Sequence, residues 1–355
     1  MNKHRLWVIV LMLGLLAAFS VGATGGPPEL KVQQALGVTE APGVHRIPVG
    51  STVIHLADGS TTVTGPDGRS VISVKSSEVA LIPAPEGMAP ATRVYEVPSG
   101  SFVHGVSPDT IEIYDADGML ILTVIDQAGE AGSEAVQTNP PAYSDWIEDA
   151  HWGYRSYGYF TAKWIVPVAP INSWIDDDVV YLFNGIYGPG ANAWAGKRNV
   201  ILQPVVGFND DGWWPGNPLN GRVWMVASKT EYIRTAAVDV AVGNIIYGEI
   251  QKYPGQTLWQ ATLYNRSTGW GTVLVTDLLG TTGQAVTVAL EGYNLENDSD
   301  LFGTTDFVQM HVEDPNYATL YPSWSGRVWY GTDEYFDDLE VIIYDYSHVR
   351  LQTAR

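Results

Sequence analysis

From residue 158 onward the chain alternates short apolar runs with clusters of turn-forming residues, and no helical period of useful length intervenes. The runs predict strands over 158–167, 179–187, 199–208, 222–232, 245–253, 258–265, 272–277, 285–293, 305–312 and 339–346. Asn184-Gly185, Asp211-Gly212, Pro254-Gly255 and Thr268-Gly269 supply turn chemistry between them. About ten short antiparallel strands predict an all-β, jelly-roll-like two-sheet sandwich, an arrangement that limits exposed edges.

A second pattern lies upstream. Ile47-Pro48-Val49-Gly50-Ser51-Thr52-Val53 returns fifty residues later as Val97-Pro98-Ser99-Gly100-Ser101-Phe102-Val103. The register then holds without a gap, matching Val63 with Ile113, Asp67-Gly68 with Asp117-Gly118 and Val74 with Val124. Two copies of one β-unit follow. The Asp-Gly pair tolerates the positive dihedrals of a tight turn, so each copy should contain a hairpin. The repeat's histidines, His55 and His104, fall at different positions in the two copies and are read as surface residues.

Between these regions the composition turns small, acidic and proline-rich, from Gln127 to Pro141. Such a stretch buries too little apolar surface to fold. The domain reading is therefore a β-hairpin repeat domain over 27–126, a linker over 127–141 and the sandwich over 142–355. At the start, Lys3 and Arg5 precede the apolar run Leu6 to Phe19, and Ser20-Val21-Gly22-Ala23 closes it with small residues. A basic flank, a short apolar run and a small-residue exit read as a signal peptide over 1–23. The expected location is secreted or at the cell surface, with no membrane span in the mature chain.

Composition narrows the chemistry. The formal net charge of −20 repels phosphate backbones, so nucleic acid is not an expected partner. The absence of cysteine excludes disulfides, thiol nucleophiles and zinc ribbons. No His-x-His or His-Glu-x-x-His spacing is present, and neither is a Gly-x-Ser-x-Gly elbow nor a phosphate loop, so no metal or cofactor is expected.

Two strands carry a polar residue where burial is expected. Gln203 shares a face with Ile201 and Val205, in a strand whose opposite face is also apolar. A buried amide has four hydrogen-bonding positions to satisfy, which asks for partners or a ligand. Glu291 alternates onto one face with Thr287, Ala289 and Tyr293, where small residues beside a carboxyl and a phenol suggest a groove floor. The ordinary alternative is that Gln203 bonds neighbouring backbone and Glu291 faces water.

The segment Ile201-Leu202-Gln203-Pro204-Val205, the strand around Trp224, Val242-Gly243-Asn244 and then Tyr264-Asn265-Arg266-Ser267-Thr268-Gly269 resemble, in their order, the elements of the glutamic peptidases, or eqolisins. The resemblance covers roughly residues 158–312, and it lies in element order more than in residue identity. It implies a concanavalin-like β-sandwich whose concave face holds a glutamine–glutamate dyad, here Gln203 and Glu291, with Trp224 and Tyr293 beside the substrate. In such a dyad the glutamate takes a proton from water while the amide N–H stabilises the oxyanion. Where those enzymes carry a further glutamate in the tryptophan strand, this chain reads Val223-Trp224-Met225-Val226-Ala227-Ser228. The repeat domain stands in the place of their pro-segment, and it suits a surface module equally well. The resemblance thus implies an acid-acting peptidase with a polypeptide substrate.

A different class competes. Trp213 and Trp214, set between Asp211-Gly212 and Pro215-Gly216, are candidates for an exposed stacking platform. A non-catalytic glycan-binding or cell-surface module with an extracellular glycan as partner is the alternative reading.

Overall fold

The computed structural model describes residues 30–34, 43–75, 78–85, 87–127, 143–170, 178–188, 200–210, 219–228, 231–295, 297–329, 336 and 338–354. The expected signal peptide, Trp213, Trp214 and all of the expected linker except Gln127 lie outside these residues.

The chain is an all-β sandwich, as its pattern predicts. An eleven-stranded front sheet is centred on Glu231–Thr235, Leu219–Ser228, Ile201–Phe208, Val179–Tyr187, Gly283–Leu295 and Tyr143–Tyr157, in that order, every neighbour antiparallel. A fourteen-stranded back sheet is centred on Thr305–Glu313, Tyr159–Ile165, Ile245–Lys252, Trp259–Asn265 and Trp270–Thr276. Alternation places Phe160, Ala162 and Trp164 of the back sheet against Val180, Leu182, Val206, Val288 and Leu290 of the front sheet in one core. Val179–Tyr187 and Ile201–Phe208 are buried at every position, so the front sheet is covered on its outer face as well.

Two expectations are corrected. Asn184-Gly185 is not a turn; both residues lie inside Val179–Tyr187, where Asn184 crosses the core to donate to the Gly248 carbonyl at 3.4 Å. The expected strand 222–232 is two strands, Leu219–Ser228 and Glu231–Thr235, paired as a hairpin.

Each repeat copy folds as a three-stranded meander, Ser51–His55, Ser60–Thr64 and Ser70–Lys75 in the first, Ser101–Ser107, Thr110–Tyr114 and Leu120–Asp126 in the second. Gly68 and Gly118 turn the second hairpin of each copy at φ 79° and 80°. Val53, Val63 and Val74 are buried, and so are their repeat equivalents Val103, Ile113 and Val124.

The repeat region joins both sheets. Ser101–Ser107 pairs in parallel with Trp270–Thr276 of the back sheet, and Val94–Val97 pairs in parallel with Glu231–Thr235 of the front sheet. Sequence on the two sides of the expected linker shares continuous sheets and one core. His55, expected at the surface, is buried at this junction. Its Nδ1 meets Thr61 Oγ1 and its Nε2 meets the Tyr95 hydroxyl, both at 2.8 Å. Glu231 approaches it at 3.5 Å and accepts from Arg93.

Candidate binding site on the front sheet

Ladder register aligns side chains across a sheet in rows, because directly opposite residues point to the same face. One row on the outer face of the front sheet runs Thr287, Gly185, Gln203, Trp224, Arg234 and Glu96. Its pairs are Gly185 with Thr287, Gln203 with Trp224, Trp224 with Arg234, and Arg234 with Glu96. Gly185 falls opposite Gln203 between the flanking pairs Phe183–Val205 and Ile186–Leu202.

Gln203 is fully buried, and neither its Oε1 nor its Nε2 has a hydrogen-bond partner. The indole Nε1 of Trp224, directly opposite, is likewise buried and unpartnered. Two adjacent side chains thus present two donor nitrogens, with three N–H between them, and one acceptor oxygen with nothing to bind, in surroundings where each group left unsatisfied costs about 1–3 kcal/mol. Ile201, Val205, Tyr181, Phe183 and Tyr293 wall this region in a second apolar cluster, separate from the main core.

Glu291 lies on the same face in a different row, opposite Tyr181 on one side and Trp146 on the other. It accepts a hydrogen bond from the Tyr293 hydroxyl. Burial, and after it the Glu291 charge, pushes the Tyr293 phenol far above its ordinary range, so it stays a donor. Burial likewise pushes up the Tyr181 phenol, with Asp210 adding to it.

All four sequence-predicted site residues that are described, Gln203, Glu291, Trp224 and Tyr293, therefore share one face, but the expected dyad is not assembled. The partner of Gln203 across Gly185 is Thr287, and Glu291 stands four residues further along its strand. At a rise of about 3.3 Å per residue that offset is roughly 13 Å along the strands, at right angles to two strand spacings of about 4.8 Å each. A single water bridges groups only within hydrogen-bond reach of both. Trp224 and Tyr293 are buried and packed edge-on against Tyr181, with centroids at 6.0 and 6.2 Å, and they expose no ring face for stacking.

Charged residues that sequence reasoning passed over complete the face. Arg222 donates to Glu96 at 2.8 Å and to the Thr235 carbonyl at 2.9 Å, and its Nε lies 3.3 Å from Asp210. Arg234 approaches Glu96 at 3.3 Å, donates to the Asp210 carbonyl at 2.9 Å and lies over the Trp224 ring. At the far edge Asp149 receives Trp329 Nε1 at 2.9 Å and pairs with His151 at 2.6 Å, while Arg327 contacts His151 Nε2 at 2.9 Å. No local motif announces these residues; the one signal available was Gly185 within an otherwise large-residue strand, since a strand glycine marks close approach by a neighbour.

A short hairpin covers the face. Leu81–Ala84 and Gly87–Pro90 pair with each other and, among the described residues, with no strand of either large sheet. Ala84 and Ala89 are fully buried in the cluster around Tyr181, Trp224 and Val205, Ile82 packs against it, and the Tyr181 hydroxyl donates to the Pro83 carbonyl at 3.0 Å.

Among the described residues no group of three or more acidic or histidine side chains is placed to hold a metal ion, and no helix is long and apolar enough to cross a membrane.

No family model matches the chain. No curated protein matches it. Solved structures do resemble it. Scytalido-glutamic peptidase with a peptide-based transition state analogue is 14% identical, over 59% of this chain and 98% of that one, with a TM-score of 0.43. SCP-B, a member of the eqolisin family in complex with the tripeptide Ala-Ile-His, is 15% identical over the same shares, with a TM-score of 0.41. Lectin II from Ulex europaeus is 11% identical over 59% of this chain and 83% of that one, with a TM-score of 0.28. These are distant likenesses of β-sandwich architecture, at identities too low to carry a function across.

Proposed function

We propose that the chain is an exported β-sandwich protein whose front sheet binds an extended polypeptide, with Gln203 and Trp224 Nε1 as its fixed polar contacts. The observation that carries this reading is the fully buried, unpartnered amide of Gln203. A primary amide presents its C=O and one of its two N–H groups side by side, the complement of the N–H and C=O that a single residue of an extended chain presents along one edge. One such group inside an apolar wall fixes the register of an extended chain while the wall supplies contact area. On this face Trp224 and Tyr293, packed edge-on against Tyr181, leave no open ring on which a sugar could stack.

Hydrolysis by Gln203 and Glu291, which the resemblance to glutamic peptidases implies, requires one water to touch both side chains. The ladder sets them in different rows, so binding is the function proposed.

Because Gln203 is sealed from solvent, the test uses the full chain with residues 81–90 replaced by ten Gly and Ser residues. An unbiased array of extended peptides should retain this protein, a glycan array should not, and Gln203→Met should weaken retention at least tenfold. Retention by glycans alone, or peptide retention indifferent to Gln203→Met, overturns the reading.

A further inference from the structure

Residues 81–90 read Leu-Ile-Pro-Ala-Pro-Glu-Gly-Met-Ala-Pro. Three prolines in ten residues remove backbone donors and hold the chain extended, which disfavours incorporation into a sheet. The hairpin accordingly joins neither large sheet. It lies on the outer face of the front sheet through side-chain contact, with Ala84 and Ala89 pressed into the apolar cluster that surrounds Gln203. Its one polar tie to that sheet among the described contacts is the bond from the Tyr181 hydroxyl to the backbone carbonyl of Pro83. A hydroxyl that binds a main-chain carbonyl recognises any residue in an extended chain, and buried alanines admit only small side chains at their two positions.

We propose that the hairpin strands Leu81–Ala84 and Gly87–Pro90 are an internal occupant of the outer face of the front sheet, and that they mark its external ligand as an extended polypeptide rich in proline and small residues. This rests on the polypeptide-binding reading above and deepens it by naming the ligand class and the segment that competes with it. The occupant leaves Gln203 and Trp224 Nε1 unsatisfied. An external chain that reaches them has contacts the hairpin lacks. The hairpin's advantage is tethering, which for a short connection corresponds to an effective concentration in the millimolar range.

The experiment compares the intact chain with the full-length protein in which Gly and Ser replace residues 81–90, using a fluorescein-labelled decapeptide of the 81–90 sequence as the probe. Near-ultraviolet circular dichroism and the thermal transition verify that both are folded. The replaced protein should bind the decapeptide at least tenfold more tightly than the intact chain. Tyr181→Phe in the replaced protein should weaken binding by about fivefold, the loss of one hydrogen bond.

Equal binding by the intact and replaced proteins overturns the internal-occupant proposal. If the replaced protein ignores the decapeptide but binds unrelated array peptides through Gln203, the proposal falls and the cleft reading stands. If it binds neither, the cleft reading falls as well. Should the replaced protein fail to fold, deuterium uptake by the amides of residues 81–90 in the intact chain decides the matter. Ten millimolar free decapeptide should raise that uptake, and unchanged uptake overturns the proposal.

Discussion

Gly185 separates Gln203 from Thr287 by the space of one missing methyl group. A Cβ at Gly185 would lie 3.2 Å from Gln203 Cγ and 3.5 Å from Thr287 Cγ2. The glycine therefore lets the amide and the threonine lean together over a flat strip of strand, and this strip is the floor of the proposed cleft. A branched side chain there has no room. Gly185→Val should cost about 1–3 kcal/mol in urea unfolding through overpacking, with Gly185→Ala costing clearly less. A neutral Gly185→Val would mean that the two neighbours do not converge.

The offset between Gln203 and Glu291 makes a sharp prediction about catalysis. Any peptide hydrolysis by the purified protein between pH 2 and pH 6 should change less than twofold in Glu291→Gln. A loss of a hundredfold or more would show that the two side chains act together despite their rows.

Buried charge ties the repeat region to the sandwich. Arg93 and Glu231 pair with their side chains only 7% and 5% exposed, with His55 and Asp126 each 3.5 Å from a member of the pair. Glu231→Ala leaves the Arg93 guanidinium buried with only Asp126 nearby, and unfolding should show a loss of about 3–5 kcal/mol. The comparison is Asp306→Asn, where Arg350 makes a two-pronged contact at 3.0 and 2.9 Å on a carboxylate 36% exposed. Solvent screens that pair, and its removal should cost less than about 1 kcal/mol. Similar losses in the two variants would contradict the burial argument.

Glu148 gives a pH dependence with a definite sign. It is fully buried opposite Leu290, and burial pushes its carboxyl well above the ordinary value of 4.5, against the pull of the Glu340 and Gln352 backbone amides. A carboxyl raised in the folded state favours folding at low pH, and that contribution is lost as pH rises from about 4.5 toward the folded value. Glu148→Gln keeps the shape without the ionisation. Its stability relative to the parent should therefore grow by up to about 1.4 kcal/mol per pH unit above 4.5, measured by urea midpoints from pH 4 to pH 8. A difference independent of pH would show that Glu148 ionises freely.

The sandwich was legible because its strands alternate or run wholly apolar between turn residues. Val179–Tyr187 falls where the pattern sets it, and Ile201–Phe208 begins two residues later than expected. The repeat was legible from its fifty-residue register. Tyr143–Tyr157, the longest strand, escaped notice because Asp145, Glu148, Asp149, His151 and Arg155 interrupt any apolar period. Asp149 and His151 are accommodated by Trp329 and Arg327, contacts that only the fold assembles. The parallel pairing of Val94–Val97 with Glu231–Thr235 joins segments far apart in sequence and leaves no local mark. The face shared by Gln203 and Glu291 followed from period-two alternation within each strand. Their rows did not, because register is set by pairing with Val179–Tyr187, which neither strand records on its own.

On the proposed reading Gln203 is kept for a ligand and not for the fold. Replacing an unpartnered buried amide by an apolar side chain of similar shape removes a desolvation cost and leaves no group newly unpaired. Denaturant unfolding of Gln203→Met, set beside peptide retention by the same substitution in the protein with Gly and Ser at residues 81–90, separates the two roles. Stability should rise by about 1 kcal/mol or more while peptide retention is lost. A fall in stability, or retention that survives the substitution, would contradict the claim.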